Sequence, residues 1–290
     1  MDNTTALVSC FARAYHAAHG ARVFSDPTAK ALLGADCGKI AAHMTAGIPY
    51  FLGEFRGTPE EGLCRIVHER LAPAVLARSA FFLAAAETER RLGLKQVLLL
   101  GAGYDGFGMR AESEGLSVFA LDRAETLRDV AARCDAAGLE NRAVPVPCDL
   151  GCGGWDKRLR GKGFRSGQKS LAAGLGLCHY LGKEAFAALV MTLGNLLCAG
   201  SALVFDVPTD AESERDATLR DLAAAAGEPM RARYSERELT RILSAGGFAL
   251  YEWADADALT KRFFKEHNAD APDNAMRVPA GTACILAVKR

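Results

Sequence analysis

Three glycines at 101, 103 and 106, with an aspartate at 105 among them, directly follow an apolar run in "QVLLLGAGYDGFG". Glycines on that spacing let a chain leave a strand in a tight turn and bring bare backbone against a ligand. Two further acids, Asp122 in "VFALD" and Asp149 in "VPCDL", close the next two apolar runs. An acid about twenty residues beyond such a turn can accept from ribose hydroxyls. One at the end of the third run can accept from the amino group of adenine. Acids that end adjacent buried strands are costly to keep without a partner, so both read as ligand-binding groups.

Two ligand classes fit a glycine turn of this kind, and Asp105 separates them. A dinucleotide would set its pyrophosphate beside that carboxylate, and like charges about 4 Å apart at intermediate dielectric repel by roughly 4 kcal/mol. S-adenosyl-L-methionine instead offers an ammonium and a sulfonium, which tolerate a carboxylate. The residues therefore point to S-adenosyl-L-methionine, with Asp105 beside it. A nicotinamide-dependent oxidoreductase is the rival, and a protein that binds the donor without turnover is a further alternative.

The elements that must position these groups follow from periodicity. From Gln96 onward, apolar runs alternate with amphipathic stretches. "QVLLLG", "LSVFALD", "RAVPVPCDL", "QKSLAAGLGLCHY" and "ALVFDVP" supply five strands, with "FALYEW" and "TACILAVKR" as the last two. Helices are predicted over Asp105–Glu114, Ala124–Ala137, Lys183–Leu197 and 234–247. Pro145 and Pro147 suit an edge strand, where a missing N–H is tolerated. Ser235 with Glu238 three residues on reads as a capping box, and Gly246–Gly247 as the stop. Such alternation predicts an α/β fold, a mostly parallel sheet covered on both faces. Residues 1–93 show helical periodicity and no convincing strand, so they are predicted to form a helical cap ahead of a core over 94–290. Within the cap, Ser25 or Asp26 before Pro27 reads as a helix start.

Composition narrows the partners. The 290 residues carry 35 Lys+Arg against 35 Asp+Glu, which gives no net field toward nucleic acid or an anionic membrane. The basic run 156–169 reads as a solvated connection. Ala185–Phe205 carries no charge, but Gly194, Asn195, Gly200 and Ser201 interrupt it, so it reads as a buried helix and strand and not as a membrane span. Nine scattered cysteines without a second close pair suggest reduced thiols, a cytoplasmic location and no metal site.

Taken in order, "QVLLLGAGYDGFGMR", "VFALDRAET", "VPCDL" and "LGLCHYLGKEAF" resemble the leucine carboxyl methyltransferase family, and more closely its bacterial small-molecule O-methyltransferase relatives. "CFARAYHAAHGARVFSDPTAKALL" and "LAPAVLARSAFF" extend the resemblance into the cap. It implies a class I methyltransferase, a Rossmann-like seven-stranded sheet with an antiparallel last strand. It also implies S-adenosyl-L-methionine as methyl donor and a carboxylate or other oxygen of a small molecule as acceptor. Carried over by position, Gly101, Ala102 and Gly103 would cradle the methionine portion, and Asp122 would bind the ribose. Asp149 and Leu150 would frame the adenine, and Arg78 would reach the donor's carboxylate. The chain departs from the family pattern at Ala120, Leu175, Ala80 and Leu83, where acids or an arginine are common, and this makes altered activity an alternative.

Methyl transfer is an in-line displacement, so alignment and desolvation carry most of the catalysis. An ionised carboxylate acceptor needs no general base, whereas a hydroxyl would. His179 and Tyr180, at the end of the fourth strand, are the candidate catalytic residues. Tyr15, His16, Tyr50 and Phe51 of the cap could line the acceptor pocket, though aromatics at helical spacing also serve simply as core. His43 and His68 read as partly exposed helix residues.

Overall fold

The computed structural model describes residues 4–20, 22–211, 224, 227 and 229–290. The first part of the chain forms α1 (Thr4–Ala18), α2 (Ala29–Leu33), α3 (Asp36–Ala46), α4 (Ile48–Leu52), α5 (Pro59–Ile66), a π turn (Val67–Leu71) and α6 (Ala72–Arg91). There follow β1 (Gln96–Leu100), β2 (Ser117–Asp122), α7 (Ala124–Ala137), β3 (Val144–Pro147), α8 (Trp155–Gly161), β4 (Ser170–Gly174) and α9 (Lys183–Leu196). The chain ends with β5 (Ala202–Pro208), α10 (Glu236–Ala245), β6 (Phe248–Ala254), α11 (Ala256–Phe263), α12 (Lys265–Asp270) and β7 (Thr282–Lys289).

The seven strands form one sheet in the order β3-β2-β1-β4-β5-β7-β6. β1 to β5 pair in parallel, and β7 runs antiparallel to both β5 and β6. The chain builds outward from β1 to β3 and then jumps back to β4 on the other side. This reversal opens a crevice above the carboxyl ends of β1 and β4, where ligands of open α/β sheets sit. β3, "VPVP", is an edge strand, as its prolines predict.

Side chains alternate along each strand and so fill two separate cores. Val97, Leu99, Val118, Leu171 and Val204 face the N-terminal helices and pack with Phe11, Leu76, Phe81 and Phe82. Leu98, Leu100, Phe119, Leu203 and Phe205 face the other way, onto Phe186, Leu189 and Leu193 of α9 and Leu243 of α10. Fully burying side chains of this size contributes about 1.5–3 kcal/mol each. Residues 4–91 thus share a buried core with one face of the sheet. The run 185–205 splits into α9 and β5 as expected. Helix 59–91 is long and apolar enough to cross a membrane, but 67% of its apolar window is buried inside the fold.

Several local expectations need correction. The stretch 105–114 is not one helix but two isolated 3-10 turns, Phe107–Met109 and Ala111–Ser113. The Asp105 carboxylate accepts from the Phe107 N–H, and Gly106 packs where a Cβ would lie 2.1 Å from the Thr28 hydroxyl. Asp26 does not cap α2; it is buried, accepts from the Thr28 N–H and hydroxyl, and pairs with Arg13 at 2.9 Å. Ser235 caps α10 as predicted, but the Glu238 carboxylate binds Lys183 at 2.7 and 2.8 Å and so closes no capping box. Helices α11 and α12, between β6 and β7, had no counterpart in the sequence reading.

Candidate functional site

The glycine turn hangs from the end of β2. Gly101 and Ala102 donate to the Leu121 carbonyl at 2.9 and 3.2 Å, and Gly103 donates to an Asp122 carboxylate oxygen at 2.7 Å. Gly101 and Gly103 lie at φ +65° and +51°, where residues with a Cβ are strained. The other Asp122 oxygen accepts from Arg123 N–H at 2.7 Å, and burial raises its carboxyl pKa despite these bonds. The cap braces the turn from above. Arg13 on α1 donates to the Tyr104 carbonyl at 2.7 Å, and Phe82 on α6 meets Phe107 edge-on at 5.1 Å between ring centroids.

Above the sheet's switch point lies a cavity of about 360 Å³. Its wall includes Gly101, Ala102, Gly103, Asp105, Asp122, Asp149, Leu150 and Arg78, so every residue expected to hold the donor is brought to one place. The third glycine, Gly106, serves packing against the cap and does not line it. Asp149 is exposed and closes its own turn by accepting from Gly151 N–H at 2.8 Å. The chemistry suits S-adenosyl-L-methionine. Carboxylates of Asp105 and Asp122 line it together with apolar Leu150 and Leu177, and Gly101 and Gly103 of the turn add no side chain to its space. The volume also falls in the range of small-molecule sites, about 300–1,000 Å³.

The sequence reading missed the group that organises the back of this cavity. Asp206, the one charge in "ALVFDVP", is 1% exposed and accepts from Arg78 at 3.2 Å, from His179 Nε2 at 3.3 Å and from Gly176 N–H. Burial opposes its charge, but Arg78 and His179 hold its carboxyl far below the usual carboxylate range. Arg78 also donates to the Ser9 hydroxyl at 3.2 Å. It is therefore half of a buried ion pair that also forms part of the wall of the first cavity. A carboxylate inside an otherwise apolar strand was the available signal, since such a charge is retained only with a partner. Arg13, within "CFARAY", carried the same signal.

A second cavity, of about 940 Å³, adjoins the first, and both are lined by Thr5, Ser9, Arg78, Tyr180 and Arg231. Three helix faces build one side of it, Thr4, Thr5, Val8 and Ser9 of α1, Lys39, Ile40, His43 and Met44 of α3, and Ala74, Val75 and Arg78 of α6, and segments at the strand ends, including Pro208, Thr209 and 230–233, complete it. His179 lines only this second cavity, and its Nδ1 is buried without a hydrogen-bond partner among the described residues. No Asp or Glu belongs to its described wall.

The four cap residues expected there are elsewhere. Tyr50 is 64% exposed, and Phe51 is buried against Gly47 in the α3–α4 corner. Tyr15 stacks on His19, and His16 is fully buried with His68 and His267, at 6.4 and 5.7 Å between ring centroids. None of the four lines either cavity: Tyr15 and His16 lie about two turns beyond Ser9, at the far end of α1, and Tyr50 and Phe51 belong to α4. His68 is buried and not partly exposed, and the exposed His43 does reach the second cavity. Of the four departures from the family pattern, only Leu175 touches the first cavity.

Sheet order, reversed β7 and the cavity over the glycine turn define a class I S-adenosyl-L-methionine-dependent methyltransferase. The chain belongs to the leucine carboxyl methyltransferase family, whose sequence model, described as "Leucine carboxyl methyltransferase", matches residues 6–194. It is 30% identical over 282 residues to a Bacillus subtilis (strain 168) protein named "Putative S-adenosyl-L-methionine-dependent methyltransferase YktD", covering 91% of each chain. A similarly named Frankia alni protein is 31% identical over 209 residues, 71% of this chain and 69% of that one. Among solved structures, a DUF574 family protein from Streptomyces avermitilis superposes with a TM-score of 0.59 at 16% identity, over 96% of this chain and 97% of that one. An S-adenosylmethionine-dependent methyltransferase from Mesorhizobium loti gives 0.50 at 18% identity, over 73% and 98%.

Proposed function

We propose that the protein is an O-methyltransferase that esterifies a carboxylate of a small-molecule acceptor. One observation carries this reading. The larger cavity, which meets the donor cavity at Arg78 and Tyr180, has a wall of apolar, hydroxyl-bearing and cationic side chains, with Lys39, Arg70, Arg78, Arg231 and Arg233 on it and no carboxylate among the described residues. Such a wall favours an anionic acceptor with an apolar body. In this reading residues 1–93 act as the cap that builds the acceptor site, and 94–290 as the donor-binding core.

When bound, S-adenosyl-L-methionine supplies an electrophilic methyl group on a sulfonium. Gly101, Ala102 and Gly103 hold its methionine portion, Asp122 the ribose, and Asp149 with Leu150 the adenine, while Asp105 offers a counter-charge to the cationic portion. Arg78, fixed by Asp206 and Ser9, keeps further N–H groups for an acceptor oxygen at the junction. The acceptor carboxylate is already ionised near neutral pH, so this chain needs to align it and exclude water, with no proton to remove. His179 and Tyr180 then serve as positioning groups at the junction.

The His179–Asp206 contact at 3.3 Å, with Nδ1 unpartnered, favours one second reading, a hydroxyl acceptor with His179 as base. Incubation with methyl-labelled donor and a panel of aliphatic acids, aryl acids and phenols separates the two. The carboxylate reading expects label in products that release methanol in alkali. Alkali-stable products alone would contradict it.

A further inference from the structure

Lys39, Arg70, Arg78, Arg231 and Arg233 line the second cavity, and Arg70 has a buried donor without a partner among the described residues. Arg70, Leu71, Ala74, Val75 and Arg78 share one face of the continuous helix through α6, and all line this cavity. Arg70 belongs to the π turn Val67–Leu71, a distortion often found at functional sites because it re-aims side chains. Eight residues separate it from Arg78, about 12 Å along the axis at 1.5 Å per residue. Its Nε is buried and has no hydrogen-bond partner among the described residues. Its one recorded hydrogen bond, Nη2 to the Phe51 carbonyl, is long at 3.5 Å. Burying a charged donor in this state is costly unless an anion completes it. Lys39 and His43 on α3 line the same cavity, while Val8, Ile40, Met44, Leu71 and Val75 supply apolar wall.

We propose that the acceptor carries a second anionic group, bound by Arg70, separated by an apolar body from the oxygen that receives the methyl at the Arg78 end. Arg70 is then a specificity-determining residue that selects α,ω-dianions over monoanions of equal length. The inference rests on the carboxylate reading above and sharpens it. An apolar chain between two cationic anchors fixes the acceptor lengthwise, which sets one carboxylate at the junction with the donor cavity. A monoanion can enter in either direction, and only one of these presents its oxygen to the methyl.

The test uses decanedioate and decanoate as probes, since extended decanedioate spans about the separation of the two arginines at 1.5 Å of helix rise per residue. Wild type, Arg70→Gln and Arg70→Lys are first titrated calorimetrically with S-adenosylhomocysteine, whose affinity is expected to agree within twofold because Arg70 does not line the donor cavity. Ester formation from each acid then gives kcat/KM, and titration of the donor-product complex with each acid gives Kd. Wild type is expected to prefer decanedioate at least tenfold in both quantities. R70Q is expected to shrink that preference to twofold or less, with R70K intermediate. A merely structural role would lower both acids together and leave their ratio unchanged. An absent preference in wild type, or one that survives in R70Q, overturns the inference. If neither acid is esterified while S-adenosylhomocysteine binds, the carboxylate reading fails, and the ratio of binding constants alone decides the inference. No binding of either acid overturns it as well.

Discussion

The first cavity is built largely from the glycine turn and strand ends, whereas more than half of the second comes from side chains on α1, α3 and the helix through α6. In the first, a few residues at fixed sequence offsets do the positioning. Gly101 and Gly103 take left-handed conformations, and Asp122 ties the turn to β2 through the Gly103 N–H. In the second, the wall depends on how three helices dock, and residues far apart in sequence, such as Thr5, His43 and Arg70, meet only after folding. Donor recognition is thus local and written in a motif. Acceptor recognition is a property of packing. The two regions join at Arg78, which lines both and is held by Asp206, the buried carboxylate that also binds His179 of the second cavity.

The sharpest way to break this division is at the joint. Asp206→Asn would leave Arg78 and His179 beside a buried neutral group, and removing one partner of a buried ion pair costs about 3–5 kcal/mol. Denaturant unfolding is expected to show that loss together with impaired turnover; a loss below about 1 kcal/mol would mean the cluster is not an organising element. Asp122→Ala attacks the donor side alone. It should weaken S-adenosylhomocysteine binding at least tenfold, about 1.4 kcal/mol, as read by calorimetry. Unchanged affinity would mean that the ribose contact is misassigned.

The cap can be probed through its histidines, away from both cavities. Burial, aided by neighbouring imidazoles, lowers the pKa of His16 and His68 to about 4. Both are therefore neutral in the fold, while the unfolded chain protonates near pH 6.5. The unfolded state binds more protons between pH 6.5 and 4, so stability is present above that window and lost as pH falls through it. Unfolding at pH 5.5 compared with pH 7.5 should show a loss of about 2–3 kcal/mol from the two imidazoles together, roughly halved in His68→Phe. A pH-independent result, or an equal loss in the variant, would contradict the assignment. The smallest effect is expected at Tyr50. As an exposed residue lining neither cavity, Tyr50→Ala should change stability by no more than about 0.5 kcal/mol and leave turnover within twofold. A large loss of activity would return α4 to the acceptor site.

Much of the sheet, and the turn and strand-end acids that line the first cavity, were legible in the sequence, because strand periodicity and acids at strand ends are local signals. The reversal of β7 and the edge position of β3 followed from element order and from Pro145 and Pro147. The failures share a cause. Asp105–Glu114 looked helical by pattern, but Gly106 is committed to contact with Asp26 and Thr28, 78 to 80 residues away in sequence. Tyr15 and His16 looked suited to a pocket, yet they lie about two turns beyond Ser9, and how far along α1 the cavities reach is decided by docking against α6 and α2 and not by α1 itself. Arg70 gave no sequence signal at all, since its role arises from a π turn and from helix faces meeting across the cavity. Asp206 and Arg13 were the exceptions, for each was a charge in apolar surroundings and could have been read.

The account stands most directly on where the transferred methyl would point. A crystal structure of the complex with S-adenosylhomocysteine is expected to show the amino-acid tail over Gly101–Gly103, the ribose on Asp122, and the sulfur facing the junction at Ser9, Arg78 and Tyr180. A sulfur directed away from that junction, or adenosine seated in the larger cavity, would contradict it.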